Sequence, residues 1–248
     1  MLYKQKLLTL IILFGSINFF YAQMTGYEIG FLAGPVQMRS DFGLKGDSET
    51  NSGNIGFGAG LMFDINPIFW GSRRDYAYDH FKIRLDLSYN KTSLQHYGQY
   101  VADDKTSEDS NRLRNQTGES KNINLGAGLE YYPLSLRNFY YGFFDFSPYV
   151  ILGAQYTYAS PGTNITSSDQ LFSQWDAGSV NTDSFYTAAL NTGIGVRYKV
   201  SEYSDFLIEA KWQFFNSDWV DGLNHQLEYN KNNDSLIWIN FGYVYYLN

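Results

Sequence analysis

The sequence predicts an all-β fold: an eight-stranded antiparallel transmembrane β-barrel, up-and-down in order, with long outer loops. Three observations carry this. Eight segments alternate apolar and polar residues with period two, the pattern of strands whose two faces meet different surroundings. After residue 22 no apolar run reaches the length of a spanning helix, so a chain held in lipid has to close its backbone hydrogen bonds around a ring. The composition is 19% aromatic, with 23 glycines, 5 prolines and no cysteine, which leaves packing and closed hydrogen bonding, not disulfides, to stabilise an exported chain.

Residues 1–22 read as a secretory signal peptide: Lys4 and Lys6 precede the apolar run from Leu7 to Phe14, and the segment ends at Ala22-Gln23, with the cut expected after Ala22. An uncleaved anchor is the alternative. Residues 23–248 then form a single barrel domain. Removing the leader takes away two lysines and no carboxylates, so the formal charge moves from -7 to -9. That balance argues against nucleic acid as a partner, since a backbone-binding surface needs a basic patch.

The first strand, residues 27–34, places Tyr27, Ile29, Phe31 and Ala33 on one face; Pro35 is expected to end it and residues 36–53 to form a polar loop. The second, residues 53–64, sets Ile55, Phe57, Ala59, Leu61 and Phe63 against Gly56, Gly58 and Gly60. Either a narrow lumen or an aromatic packed over an ordinary sheet explains a face made of glycines. The third, residues 80–90, is the clearest, with Phe81, Ile83, Leu85, Leu87 and Tyr89 opposite Lys82, Arg84, Asp86 and Ser88. Strands at 121–131, 146–158, 185–199, 206–214 and 236–246 repeat the pattern.

Eight is an even number, as single-chain bacterial barrels require, and the connections after strands one, three, five and seven are long and polar. With both termini periplasmic, those four fall outside the cell. An 11-residue strand rises about 36 Å, and a tilt of about 40° brings this to about 28 Å, enough for the apolar band. On the inner face, Lys82, Arg84, Arg197, Lys199 and Lys211 oppose Glu28, Asp64, Asp86, Glu130 and Glu209, so a paired lumen network is expected, with Asp64 and Lys199 at strand ends open to solvent. Tyrosines 27, 89, 131, 156, 158, 198, 243 and 245 fall where aromatic girdles meet headgroups. A soluble lipocalin-like barrel or sandwich is the structural alternative.

Catalytic, cofactor and metal sites are not predicted. The three histidines, His80, His96 and His225, lack metal-ligand spacing, and HxxxH, HExxH and GxSxG are absent. Asp218 and Asp221, beside Trp219 and Gly222, could take calcium or bridge to lipopolysaccharide, but a solvated loop is the favoured reading. A lumen of this width is filled by its own side chains, so function is expected at the rims. On the periplasmic rim, Phe69, Trp70, Arg73, Arg74, Arg137, Phe139 and Tyr140 are residue types that anchor protein interfaces, and headgroup anchoring explains them equally well.

The segments AQMTGYEIGFLAGPVQMRSDFG, NSGNIGFGAG, DHFKIRLDLSYNKTSLQHYGQY, LEYYPLSLRNF and FSPYVILGAQY resemble a family of small outer-membrane barrels from Bacteroidota, close to the PorG-like proteins of the type IX secretion system. The resemblance runs through most of residues 23–158. It implies a non-enzymatic barrel in the bacterial outer membrane that anchors a periplasmic lipoprotein or secretion-ring protein through residues 65–79 and 132–145, with no cofactor. Outer-membrane lipid and lipopolysaccharide are the other expected partners. The runner-up is a structural or adhesin-like barrel whose outer loops bind surface glycans or lipopolysaccharide, and gated transport is a third possibility.

Overall fold

The computed structural model describes residues 26–66, 75–142, 145–225 and 227–247. Eight strands follow one another in chain order around a closed ring, each antiparallel to its neighbours, and the last pairs with the first. They are β1 (Tyr27–Arg39), β2 (Ile55–Ile65), β3 (Phe81–Gln95), β4 (Thr117–Tyr131), β5 (Phe146–Thr163), β6 (Phe185–Ser201), β7 (Ser204–Phe215) and β8 (Ser235–Leu247). Three short helices sit in the connections: α1 (Tyr76–His80), α2 (Glu108–Asn115) and α3 (Leu136–Tyr140). No described helix is long and apolar enough to cross a membrane; the strands do the crossing.

The strands are longer than hydrophobic alternation predicts, chiefly at their outer ends. β3 continues to Gln95 and β4 starts at Thr117, through the pairs Lys91↔Lys121, Ser93↔Glu119 and Gln95↔Thr117. Above the apolar belt the outward face turns polar at Lys91 and Ser93 while the inward face mixes Thr92 and Ser120 with Leu94, so the period vanishes while the ladder goes on. Pro35 does not end β1. It keeps its register with β2 (Pro35↔Phe57), whereas the ladder to β8 is open between Ala33↔Phe241 and Val36↔Trp238, so the missing N–H falls where no bond is made. At this opening a Cβ on Gly34 would lie 1.9 Å from the Ile239 carbonyl oxygen, which only glycine avoids. Pro161 and Gly162, expected in a loop, likewise belong to β5.

Inside and outside are the reverse of a soluble fold. Leu125 and Phe241 are 63% and 54% exposed on the wall, together with Ile83, Leu85, Leu152 and Leu190, while Arg84 and Arg197 inside are 0% exposed. A water-soluble chain would bury the first set and expose the second. The apolar belt therefore faces lipid. Exposed Tyr89, Tyr156, Tyr158 and Tyr186 lie toward its outer edge and Tyr198, Tyr243 and Tyr245 toward its inner edge.

The glycine-rich inner face has the narrow-lumen explanation. A Cβ on Gly58 would come within 2.8 Å of the Trp238 indole, and one on Gly195 within 2.5 Å of the Tyr149 ring. Gly58 and Gly195 thus yield their volume to a large inward side chain from another strand, whereas Gly56 and Gly60 are crowded by the neighbouring strand itself, at the Lys91 carbonyl and at Ser88.

Candidate functional site

The periplasmic half of the lumen is bolted across its width by ion pairs. Arg84 on β3 donates to Glu209 on β7 at 2.6 Å, and it also pairs with Glu130 on β4 and, at 3.4 Å, with Asp64 on β2. Lys211 on β7 returns the connection to Asp86 on β3 at 2.9 Å. Arg197 on β6 reaches Glu28 on β1 and Asp64, while Lys82 donates to Glu28 at 2.9 Å. Of the ten charges named from the sequence, nine point inward and pair; Lys199, expected to be solvated, is half-buried and donates to backbone carbonyls at the periplasmic mouth. Asp64, expected to be solvated, is fully buried among them. Asp205 and the phenols of Tyr132, Tyr149 and Tyr246 also belong here and were missed: Tyr132 donates to Glu130 and Tyr149 to Glu209, both at 2.6 Å, and Tyr246 donates to Asp205.

Above the charges the lumen becomes a layer of amides and hydroxyls, in which Asn191 donates to Gln155 (2.8 Å), Gln155 to Asn124 (3.0 Å) and Asn122 to Asn90 (3.0 Å). Val36, Met38, Leu94, Leu236 and Trp238 then close the outer end as an apolar layer.

At the periplasmic mouth, α3 is a stopper. Its N-cap Ser135 accepts from the Asn138 N–H, Leu136 and Phe139 are fully buried, Tyr140 donates to Glu28, and Lys199 donates to the Phe139 carbonyl at 3.1 Å and to that of Tyr140. Phe139 and Tyr140 are therefore turned into the barrel. Arg137 is half-buried, its N–H bound to Asp79 at 2.9 Å. Phe69, Trp70, Arg73 and Arg74 lie outside the described residues. His80 is structural: its Nδ1 donates to the Tyr132 carbonyl at 2.6 Å.

On the opposite face the four long connections, residues 40–54, 96–116, 164–184 and 216–234, assemble into one head. Lys45 lies at its centre. Its ammonium pairs with Asp218, with Asp41 at 3.2 Å and with Asp234 at 3.4 Å, and donates to the Asn232 carbonyl at 2.6 Å. Asp221 accepts the Asp41 N–H at 2.7 Å and the Leu223 N–H at 2.8 Å, and Asn230 accepts the Lys45 N–H at 2.8 Å. Asp218 is thus a buried partner of Lys45 and Asp221 a buried acceptor of backbone N–H groups, neither a solvated loop residue, because Phe42, Val220 and Leu223 pack the first and fourth loops into a small core that excludes water. Among the described residues, no group of three or more His, Cys, Asp or Glu is placed to hold a metal ion.

Burial, together with neighbouring Asp221, pushes the Asp41 carboxyl up to about 8, and burial pushes Asp221 up to about 6. Burial opposes the charge of Lys45, but the surrounding carboxylates, Asp234 first, outweigh it and hold the ammonium above the ordinary lysine range.

Beside this latch opens a cavity of 270 Å³ to which all four loops contribute. Phe42 and Asp41 come from the first loop, His96, Tyr97 and Tyr100 from the second, Phe172 and Trp175 from the third, and His225 from the fourth. The Trp175 indole stacks on His225 with ring centres 4.8 Å apart and lies 5.8 Å from His96, which in turn sits 5.1 Å from Phe42. Gln116 donates to the Gln170 carbonyl, so its oxygen accepts from the His96 Nε2–H at 2.9 Å. Burial lowers both His96 and His225 to about 4, so both rings are neutral at physiological pH. Two residues of the cavity lining carry a buried polar atom without a hydrogen-bond partner, Asp41 at Oδ2 and Trp175 at Nε1.

A closed ring with an apolar exterior, a charged interior and an elaborated outer end defines an eight-stranded β-barrel of the outer membrane. No protein-family model matches the chain, and no curated protein matches it in sequence. Solved structures similar to it include Neisserial surface protein A (12% identity, 89% of this chain and 97% of that one, TM-score 0.47) and OprG from Pseudomonas aeruginosa (16%, 90% and 97%, 0.46). Ail of Yersinia pestis, in complex with the heparin analogue sucrose octasulfate, is similar at 15% identity over 88% of this chain and 97% of that one, with TM-score 0.38.

Proposed function

We propose that this barrel is an adhesin-like surface protein whose outer head binds glycans, the membrane-spanning wall serving as a sealed pedestal. The observation that carries this is the cavity itself: four loops distant in sequence converge on one aromatic-walled recess at the extracellular end. Carbohydrate rings combine an apolar C–H face with a hydroxyl edge, and flat indole, phenol and imidazole faces beside polar atoms complement both. Solute passage is disfavoured by the filled lumen, with its charges paired across the ring and an apolar layer above them.

A periplasmic anchoring role, as the resemblance to the type IX secretion barrels implies, is the second reading. Exposed Tyr76 and Tyr141 at the inner rim favour it. It is weakened by α3, whose aromatics are already committed to the barrel.

Purified protein in lipid nanodiscs, applied to a glycan array, tests the first reading. Binding is expected, and Tyr100→Ala, at an exposed residue of the cavity lining, should weaken it about tenfold without changing the melting temperature. Absence of any glycan binding, or binding indifferent to both Tyr100→Ala and Trp175→Ala, would contradict it.

A further inference from the structure

Resting on the glycan reading above, we propose that the head cavity receives one uncharged, polyhydroxylated sugar ring and discriminates against acidic sugars. Three features argue for this. The first is size. At 270 Å³ the recess lies at the small end of ligand sites, which run from about 300 to 1,000 Å³, so it suits a single terminal ring and not a length of polysaccharide.

The second is the pair of unsatisfied atoms. Asp41 is only 2% exposed, and its Oδ2 has no partner although its Oδ1 is engaged by Lys45 and Asn230. Trp175 Nε1 is a buried N–H without an acceptor. A buried polar group left unpaired is costly, and a ligand that satisfies it recovers that cost. The first atom needs a hydrogen-bonding partner and the second an acceptor. A hydroxyl is both donor and acceptor, so a ring carrying several hydroxyls meets both needs while its C–H face lies on the aromatics.

The third is charge. No lysine or arginine lines the recess, and both histidines there are neutral. A carboxylate or sulfate would enter a desolvated space whose lining carries no cation, the ammonium of Lys45 behind it being already engaged by Asp218 and the Asn232 carbonyl. Ammonium groups fare no better. Burial keeps the Asp41 carboxyl protonated at neutral pH, and Lys45 stands behind it.

The experiment is calorimetric titration of the nanodisc-embedded protein with methyl glycosides of glucose, galactose, mannose and N-acetylglucosamine, and with glucuronic and N-acetylneuraminic acids. At least one neutral glycoside should bind tenfold or more tightly than either acid, and Trp175→Phe, which keeps a ring face but removes the N–H, should weaken that glycoside several-fold. If an acid binds as tightly as the neutral sugars and its binding is lost in Trp175→Ala, the neutral-ring proposal falls while the glycan reading stands. Neutral binding unaltered in both Trp175→Phe and Trp175→Ala also overturns the proposal, by placing the sugar elsewhere. If none of the glycosides or acids binds, and the glycan array is also blank, both fall.

Discussion

Arg84→Ala should destabilise the barrel by about 3–5 kcal/mol, the usual cost of breaking a buried ion pair from one side. The guanidinium is completely buried, bonds Glu209, Glu130 and Asp64, and lies 5.4 Å above the Tyr149 ring. Removing it leaves Glu130 and Glu209 without an ion-pair partner in a space water does not reach, and takes away one of the two ties between β3 and β7 across the ring, the other being Lys211–Asp86. The urea midpoint of folding into detergent micelles measures this, with the slope of the transition unchanged. Arg84→Met combined with Glu209→Leu should recover part of the loss, because fewer carboxylates are left uncompensated and apolar bulk replaces the pair. A single variant within 1 kcal/mol of wild type, on the order of a surface salt bridge, would show that these charges are hydrated.

Lys45→Ala should open the outer head while leaving the barrel intact. Asp41, Asp218 and Asp234 lose the one cation they surround, so the first and fourth loops separate. Hydrogen exchange should then accelerate at residues 40–54 and 216–234 and stay slow in β1 to β8. The wild-type head has a pH dependence of defined sign. Asp41 and Asp221 hold their protons more tightly folded than unfolded, so their contribution is full below the ordinary value of 3.8 and is lost as pH rises through about 6 for Asp221 and about 8 for Asp41. His96 and His225 are depressed from 6.5 to about 4, so they favour the closed head above 6.5 and oppose it as pH falls toward 4. Below 6.5 the two effects oppose one another. Between 6.5 and 8 Asp41 still titrates, and exchange in the head should accelerate steadily across that window.

The wall of this protein is legible in its sequence because a strand with lipid on one side and charge on the other writes its period into every second residue. Phe81 through Tyr89 is the plainest case, and the inward placement of Lys82, Arg84 and Asp86 follows from it directly. The pattern stops where the solvent on the two faces becomes the same. For that reason the outer ends of β3 and β4 read as loop in the sequence, and Asp205, next to a tight turn, reads as connection. Pro35 and Pro161 misled because the ladder happens to be open or tolerant at those positions, which is a property of the neighbouring strand.

The head was not legible. His96 and His225 are 129 positions apart and carry no motif, yet they flank one indole. Asp41 and Lys45 fall inside residues 36–53, which read only as a polar loop. The signal that pointed to them is apolar residues in nominally polar loops, Phe42 and Leu44 in the first, Val220 and Leu223 in the fourth, which only a loop with its own core requires.

The account rests on the apolar belt meeting lipid, and nitroxide accessibility in nanodiscs measures that most directly. Spin labels placed singly at Leu85, Leu125, Leu190 and Phe241 should relax strongly with oxygen and weakly with a water-soluble nickel chelate, whereas a label at Tyr100 in the head should show the opposite. Nickel accessibility at the four wall positions equal to that at Tyr100 would mean that water covers the exterior, and the barrel, its pedestal role and the placement of the head at the cell surface would all be contradicted.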